Sequence, residues 1–178
     1  LKALNQTLKG DYKLERSTKL ASYLGKKRLP DALNEVSITS LAPAKLLKMK
    51  IWKDNELIGE CQSDGVVVAS QTGSTGYSLS AGGPVVDPDV QAFVFTPIAP
   101  LTVFHPVVFS ANSTIHVDLQ KPKRAVVVID GHFQAETAPQ LSRITIAKSE
   151  HESSFIRFKG DFYNRLKGRL LFSEGRAR

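Results

Sequence analysis

A period of two dominates the chain. In KLLKMKIW, Leu47, Met49 and Ile51 fall on one side of an extended backbone and Lys48, Lys50 and Trp52 on the other. Asp54-Asn55 supplies a turn, and ELIGECQ reads as the returning strand. VVVAS (66–70) follows an Asp-Gly turn, and AFVFTPI (92–98) is a short apolar run closed by Pro97 and Pro100. STIHVDLQ alternates through Ile115, Val117 and Leu119. AVVVIDGHFQAE carries the clearest hairpin signal, a β-branched run broken by Asp130-Gly131. RITIAKS and SFIRFKG read as two further strands, with Ile144 and Ile146, then Ile156 and Phe158, on one face.

Helical signal is sparse. One short candidate spans 75–82. A stronger one is DFYNRLKGRLLF, where Asp161 is placed to cap and Phe162, Leu166 and Leu170 recur at i, i+4 and i+8. Gly168 weakens it. The expected architecture is mainly β and sandwich-like: a β domain over 1–160 and a helical tail over 161–178. A parallel sheet is excluded, because the spaces between strands are too short for crossover helices.

Composition adds little to that picture, but charge adds something. Hydrophobic residues make up 42% and charged residues 23%, an ordinary globular balance. No apolar run approaches the ~20 residues of a membrane span. A single cysteine, Cys61, permits no internal disulfide, so a reducing, cytoplasmic setting is expected. The net charge of +7 divides into +6 over 1–30, −4 over 31–154 and +5 over 155–178. Basic ends suit phosphates, nucleic acid or an acidic partner. However, the aromatic residues do not interleave with the basic ones as a stacking platform requires. The four histidines show no metal-ligand spacing.

The chemistry concentrates in DGVVVASQTGSTGYSLSAGGP (64–84). An apolar strand runs straight into glycines and hydroxyls. Gly73 and Gly76 let a backbone approach a ligand. Thr72, Ser74, Thr75 and Ser78 offer donors and acceptors, and Tyr77 a ring with a polar tip. By itself such a loop fits a turn-rich connection or a nucleotide site. It is neither a Walker A loop nor a Gly-x-Gly-x-x-Gly fingerprint.

The segment resembles the NAD kinase signature, an Asp-Gly, an apolar strand, Thr-Pro-Thr-Gly-Ser-Thr-Ala-Tyr and a Gly-Gly-Pro-like tail. Gln71 stands where Pro is usual and Gly76 where Ala is usual. Ala32-Leu33-Asn34-Glu35-Val36 is similar to the family's Leu-Asn-Glu element, and Thr96-Pro97-Ile98-Ala99-Pro100 to its Thr-Pro-Ile stretch. Asp130-Gly131 resembles a late Asp-Gly turn, and the tail from Asn164 its closing Leu-Arg-x-Lys-Leu.

The resemblance implies the C-terminal β domain of an enzyme that phosphorylates the 2′-hydroxyl of the adenosine ribose of NAD. ATP or polyphosphate would be the donor, with a divalent metal, Mg2+, as cofactor. It further implies a dimer or tetramer whose subunits share the site. Asn34 and Glu35 match residues that hold adenosine. Thr72, Thr75, Gly76 and Tyr77 match the loop at its adenosine end, and Ser80 a further polar contact. Asp64 matches a residue that reaches the NAD of an adjacent subunit. The family's Gly-Gly-Asp-Gly motif, whose Asp is the expected base, is absent from this sequence. No catalytic residue is therefore assigned to this chain, which is expected to be inactive alone and to belong to a longer protein. A sphingoid-base kinase domain and a basic nucleic-acid module are the competing readings, with nucleic acid disfavoured by the aromatic pattern.

Overall fold

A computed structural model describes residues 1–42, 44–158 and 162–167. Ser17–Ser153 form one compact unit, and Leu1–Arg16 with the chain from Ser154 onward form another. The strands are β1 (Lys13–Leu24), β2 (Lys27–Arg28), β3 (Glu35–Ser40), β4 (Leu47–Lys53), β5 (Glu56–Ser63) and β6 (Gly65–Ser70). They continue with β7 (Ala92–Ile98), β8 (Val107–Ser110), β9 (Ile115–Lys121), β10 (Ala125–Ile129), β11 (Phe133–Glu136) and β12 (Arg143–Arg157). One sheet runs β2-β1-β12-β9-β4-β5, the other β11-β10-β3-β6-β7-β8.

The alternation sets the core. Leu47, Met49 and Ile51 on β4 are buried, whereas Lys48, Lys50 and Trp52 face outward with more exposure. Ile115, Val117 and Leu119 on β9, and Ile144 and Ile146 on β12, complete the inner face of that sheet. They join one apolar cluster with Val36, Ile38, Val66, Val68, Phe93, Phe95, Val127 and Ile129 of the other sheet. Two antiparallel sheets sharing one core make a β-sandwich, as the periodicity predicts.

Two expected hairpins close as read. Lys53 pairs with Glu56 across Asp54-Asn55, where Asp54 has a φ of 53°. At the other, Asp130 and Gly131 have φ of 48° and 70°, and the His132 N–H donates to the Ile129 carbonyl. Positive φ at both central residues is what a type I′ turn requires.

Three features differ from the sequence reading. RITIAKS and the SFIR of SFIRFKG lie in one continuous strand, β12, because the intervening Glu150-His151-Glu152-Ser153 offers no Gly, Pro, Asn or Asp to break it. Ile156 is exposed there, not inward. β1, whose Lys/Arg/Ser/Thr-rich sequence lacks clean alternation, is a twelve-residue strand.

The unit of 1–16 and 154 onward contains helix α1 (Lys2–Leu8), with no buried residue, and a bidentate Arg157–Glu15 ion pair at 2.7 and 3.0 Å. Helix α3 (Phe162–Leu166) gives the C-terminal candidate its described turn, with Leu166 buried. Asp161, Gly168 and Leu170 lie outside the described residues.

β6 is buried at all six positions, and the adjacent β7 at six of its seven. Val66 and Val68 face the common core. Val94 on the adjacent β7 packs instead with Ala92 and Val86, where the segment after β6 covers the sheet's outer face. That segment carries the signature loop and the short helix α2 (Tyr77–Ser80) within the expected 75–82. The Ser78 and Thr96 hydroxyls, 2.8 Å apart, anchor α2 to β7.

The central phenylalanines set a test of this core. Phe95→Ala, at a site with no solvent exposure, is expected to destabilise the domain by about 3–5 kcal/mol, read from urea unfolding midpoints.

Candidate functional site

Asn34 and Glu35 stand at the entry to β3, and a carboxylate from another hairpin fixes them there. Asp130 Oδ2 accepts the Leu33 N–H at 2.7 Å, and its Oδ1 accepts those of Asn34 and Glu35 at 2.8 and 2.9 Å. The Asp130 N–H donates back to the Glu35 carbonyl at 3.0 Å. Three successive amides on one carboxylate leave the backbone little freedom, and hydrogen bonds to a charged acceptor are among the stronger ones.

The signature loop fastens to the other side of the same segment. The Ser70 N–H donates to the Asn34 carbonyl at 2.8 Å, and the Ser70 hydroxyl to the Leu33 carbonyl at 2.6 Å. The Gly73 N–H donates to Ser70 Oγ at 3.2 Å. Gly73 passes so close that a Cβ there would lie 2.0 Å from the Asn34 carbonyl oxygen. That close approach, not a special φ, is why position 73 is glycine. A single 3-10 turn (Gly73–Thr75) then leads into α2.

These contacts bring Asn34, Glu35, Thr72, Thr75 and Gly76 together, with Tyr77 next in sequence at the start of α2. Among the described residues the Asn34 amide and the Glu35 carboxylate have no hydrogen-bond partner, although both are half-buried. Burial, then the nearby charge of Asp130, raises the Glu35 carboxyl above the ordinary glutamate range. Thr75 Oγ1 donates to the Thr72 carbonyl at 3.4 Å. Tyr77 and Ser80 are exposed on α2.

Asp64 is not part of this constellation. It sits exposed in the β5–β6 turn, six strand residues and about 20 Å from the loop. Ser74 and Ser78, read from sequence as ligand contacts, are buried and used internally. The Ser74 hydroxyl donates to the Gln71 carbonyl and accepts the Val86 N–H, while Ser78 pairs with Thr96. A Cβ at Gly83 would lie 2.4 Å from Ser78 Oγ, so the Gly-Gly-Pro tail is shaped by this packing.

Sequence reasoning treated Asp130 as a turn residue and passed over Ser17 and Ser70. Only the Asp-Gly spacing hinted at Asp130, because a hairpin signal does not say what the side chain caps. Cys61 is 1% exposed, and burial pushes its thiol up, so it is a packing residue and not a nucleophile. Among the described residues no group of three His, Cys, Asp or Glu side chains is placed to hold a metal ion.

Residues 33–158 match the family model of the ATP-NAD kinase C-terminal domain, well over half of the chain. The chain belongs to the NAD kinase family. It is 41% identical to an NAD kinase of Methanothermobacter thermautotrophicus, over 95% of this chain and 60% of that protein. Among solved structures it resembles an NAD kinase from Archaeoglobus fulgidus in complex with ATP, with a TM-score of 0.80 and 34% identity, covering 91% of this chain and 62% of that one. It also resembles a yeast NADH kinase complexed with NADH, with a TM-score of 0.87 and 25% identity, covering 99% and 54%. The chain thus spans about 60% of its first relative's length. Membership of the NAD kinase family does not favour the sphingoid-base kinase or nucleic-acid readings.

Against the family pattern the two departures differ. An alanine Cβ at Gly76 would meet the Gly73 carbonyl oxygen at 3.3 Å and Glu35 Oε2 at 3.5 Å, a contact that a small shift relieves. Gln71, in place of proline, is 3% exposed, with its Oε1 buried and without a partner.

Two outcomes follow from the geometry of this candidate site. Asp130→Asn turns an acceptor into a donor facing backbone N–H groups, and is expected to lower stability by about 1–3 kcal/mol in chemical denaturation. Glu35→Gln is expected to stabilise the protein at neutral pH. The folded-state carboxyl has a raised pKa, so wild-type stability falls as pH rises from the ordinary glutamate range through that value. Thermal unfolding should show the variant's advantage at pH 7 and its shrinkage toward pH 4, where both states of the wild type are largely protonated.

Proposed function

We propose that this domain holds the adenosine half of NAD while the 2′-hydroxyl of its ribose is phosphorylated to give NADP. One observation carries the reading. Asn34 and Glu35, pinned by Asp130 and by the loop, present an amide and a carboxylate that have no partner among the described residues, beside Thr72, Thr75 and Gly76. A carboxylate accepts from ribose hydroxyls, and an amide both donates to and accepts from an adenine edge. Tyr77, exposed next to Gly76, offers its ring to a planar base and its hydroxyl to water or phosphate. Ser80, on the same helical turn, adds a polar contact.

ATP or polyphosphate is the proposed donor, with Mg2+ to bind and neutralise its phosphates. The described residues do not make a metal site, so no step is assigned to metal here. The chain also lacks the Gly-Gly-Asp-Gly base. A base must reach the hydroxyl proton, and Glu35 is assigned to binding, not to that role. The protein is proposed to work in the cytoplasm as a dimer or tetramer. Asp64, remote from its own Asn34, then serves the site of a neighbouring subunit. The helical tail over 161–178 is assigned to packing on the segment that carries the base, and the β domain over 1–160 to NAD.

The test is a coupled assay for NADP formation. Full-length protein is expected to convert NAD, this chain alone to give no turnover, and an N34A/Y77A pair in the full-length protein to raise the NAD requirement strongly. Turnover by the isolated chain would overturn the assignment of the base.

A further inference from the structure

Thr72 has a partner that the loop itself does not supply. Ser17 Oγ, on β1 of the opposite sheet, lies 2.5 Å from Thr72 Oγ1, linking positions 55 residues apart. Ser17 is 1% exposed, whereas Thr72 is half-buried at the open side of the loop. Each hydroxyl has one proton to donate and lone pairs to accept with. Among the described residues Ser17 Oγ meets no acceptor other than Thr72. If Thr72 donated to Ser17, the Ser17 proton would be left buried and unsatisfied, which is costly. The favourable arrangement has Ser17 donating and Thr72 accepting. The Thr72 proton is then free, and only the open side of the loop remains for it.

We propose that Ser17 is a positioning residue that sets Thr72 as a hydrogen-bond donor toward an acceptor atom on the adenosine half of the dinucleotide. The inference rests on the binding role proposed above and deepens it. Ser17 touches no ligand. It works by removing one of the two directions in which the Thr72 hydroxyl could point, so that the hydroxyl meets the ligand already oriented.

Calorimetric titration of the full-length protein with NAD tests this through a double-mutant cycle of Ser17→Ala and Thr72→Val. Ser17→Ala is expected to weaken binding roughly 3- to 10-fold, the effect of one neutral hydrogen bond. Its melting temperature should stay within about 4 °C of wild type. In the Thr72→Val background the same change should cost nothing further, since there is no hydroxyl left to orient. A merely structural role would lower stability and give losses that add. Wild-type affinity in Ser17→Ala, or additive losses in the pair, would overturn the inference while leaving the binding role intact. Should Ser17→Ala not fold, Ser17→Cys, with a weaker donor of similar shape, is read in its place. No NAD binding by the wild type would overturn the binding role and this inference together.

Discussion

The Asp130 carboxylate receives the N–H groups of Leu33, Asn34 and Glu35, and much of the candidate site depends on that contact. It joins the β10–β11 turn to the entry of β3. The same three-residue stretch offers the carbonyls of Leu33 and Asn34 to Ser70, from which the signature loop departs. Two distant segments are therefore registered on one short piece of backbone. With its donors satisfied on one side and its acceptors on the other, that piece presents two polar side chains that have no partner among the described residues. Polar groups held this firmly are what the proposed binding role requires.

Burial of β6 on both faces explains how the loop stays in place. A strand with one wet face would leave the Thr/Gly segment free to move. Here the chain after β6 returns over the sheet and packs Val86 against Ala92 and Val94. Ser74 and Ser78 are spent on internal bonds that hold this cover down. Ser74 and Ser78 thus fix its shape, while Tyr77 and Ser80 are left exposed. Glycine at 73 and 83 follows from the same packing, because each backbone passes against atoms that a side chain would displace.

Electrostatics at the site run against stability. Glu35 lies partly desolvated beside Asp130, and both effects disfavour its charge. A fold selected for stability alone would not place two carboxylates together at a half-buried strand entry. The proposed role, accepting ribose hydroxyls, needs the charged form, and such a cost parallels the stability lost at functional sites in general. The Lys50–Glu60 pair on the outer face of the other sheet is solvent-exposed and contributes little by comparison.

The sequence by itself determined the sandwich, most of its strand limits and both tight hairpins. These are written locally, in period-two alternation and in turn residues that accept positive φ. It also determined the position of the signature loop and the Asn34-Glu35 pair, through a motif of unusual composition. It did not yield β1, whose polar residues are buried by neighbours far along the chain, nor the unbroken course of β12. Only the tertiary structure decided that Asp130 is the anchor of the site, that Ser17 reaches Thr72, that Ser74 and Ser78 turn inward, and that Asp64 stands about 20 Å of strand away. The physical reason is the same in each case. Alternation fixes which face a residue takes, but the Asn34–Asp130 bond, 96 positions apart, exists only once β3 and β10 have paired, and the Ser17–Thr72 bond, 55 positions apart, only once the two sheets have packed.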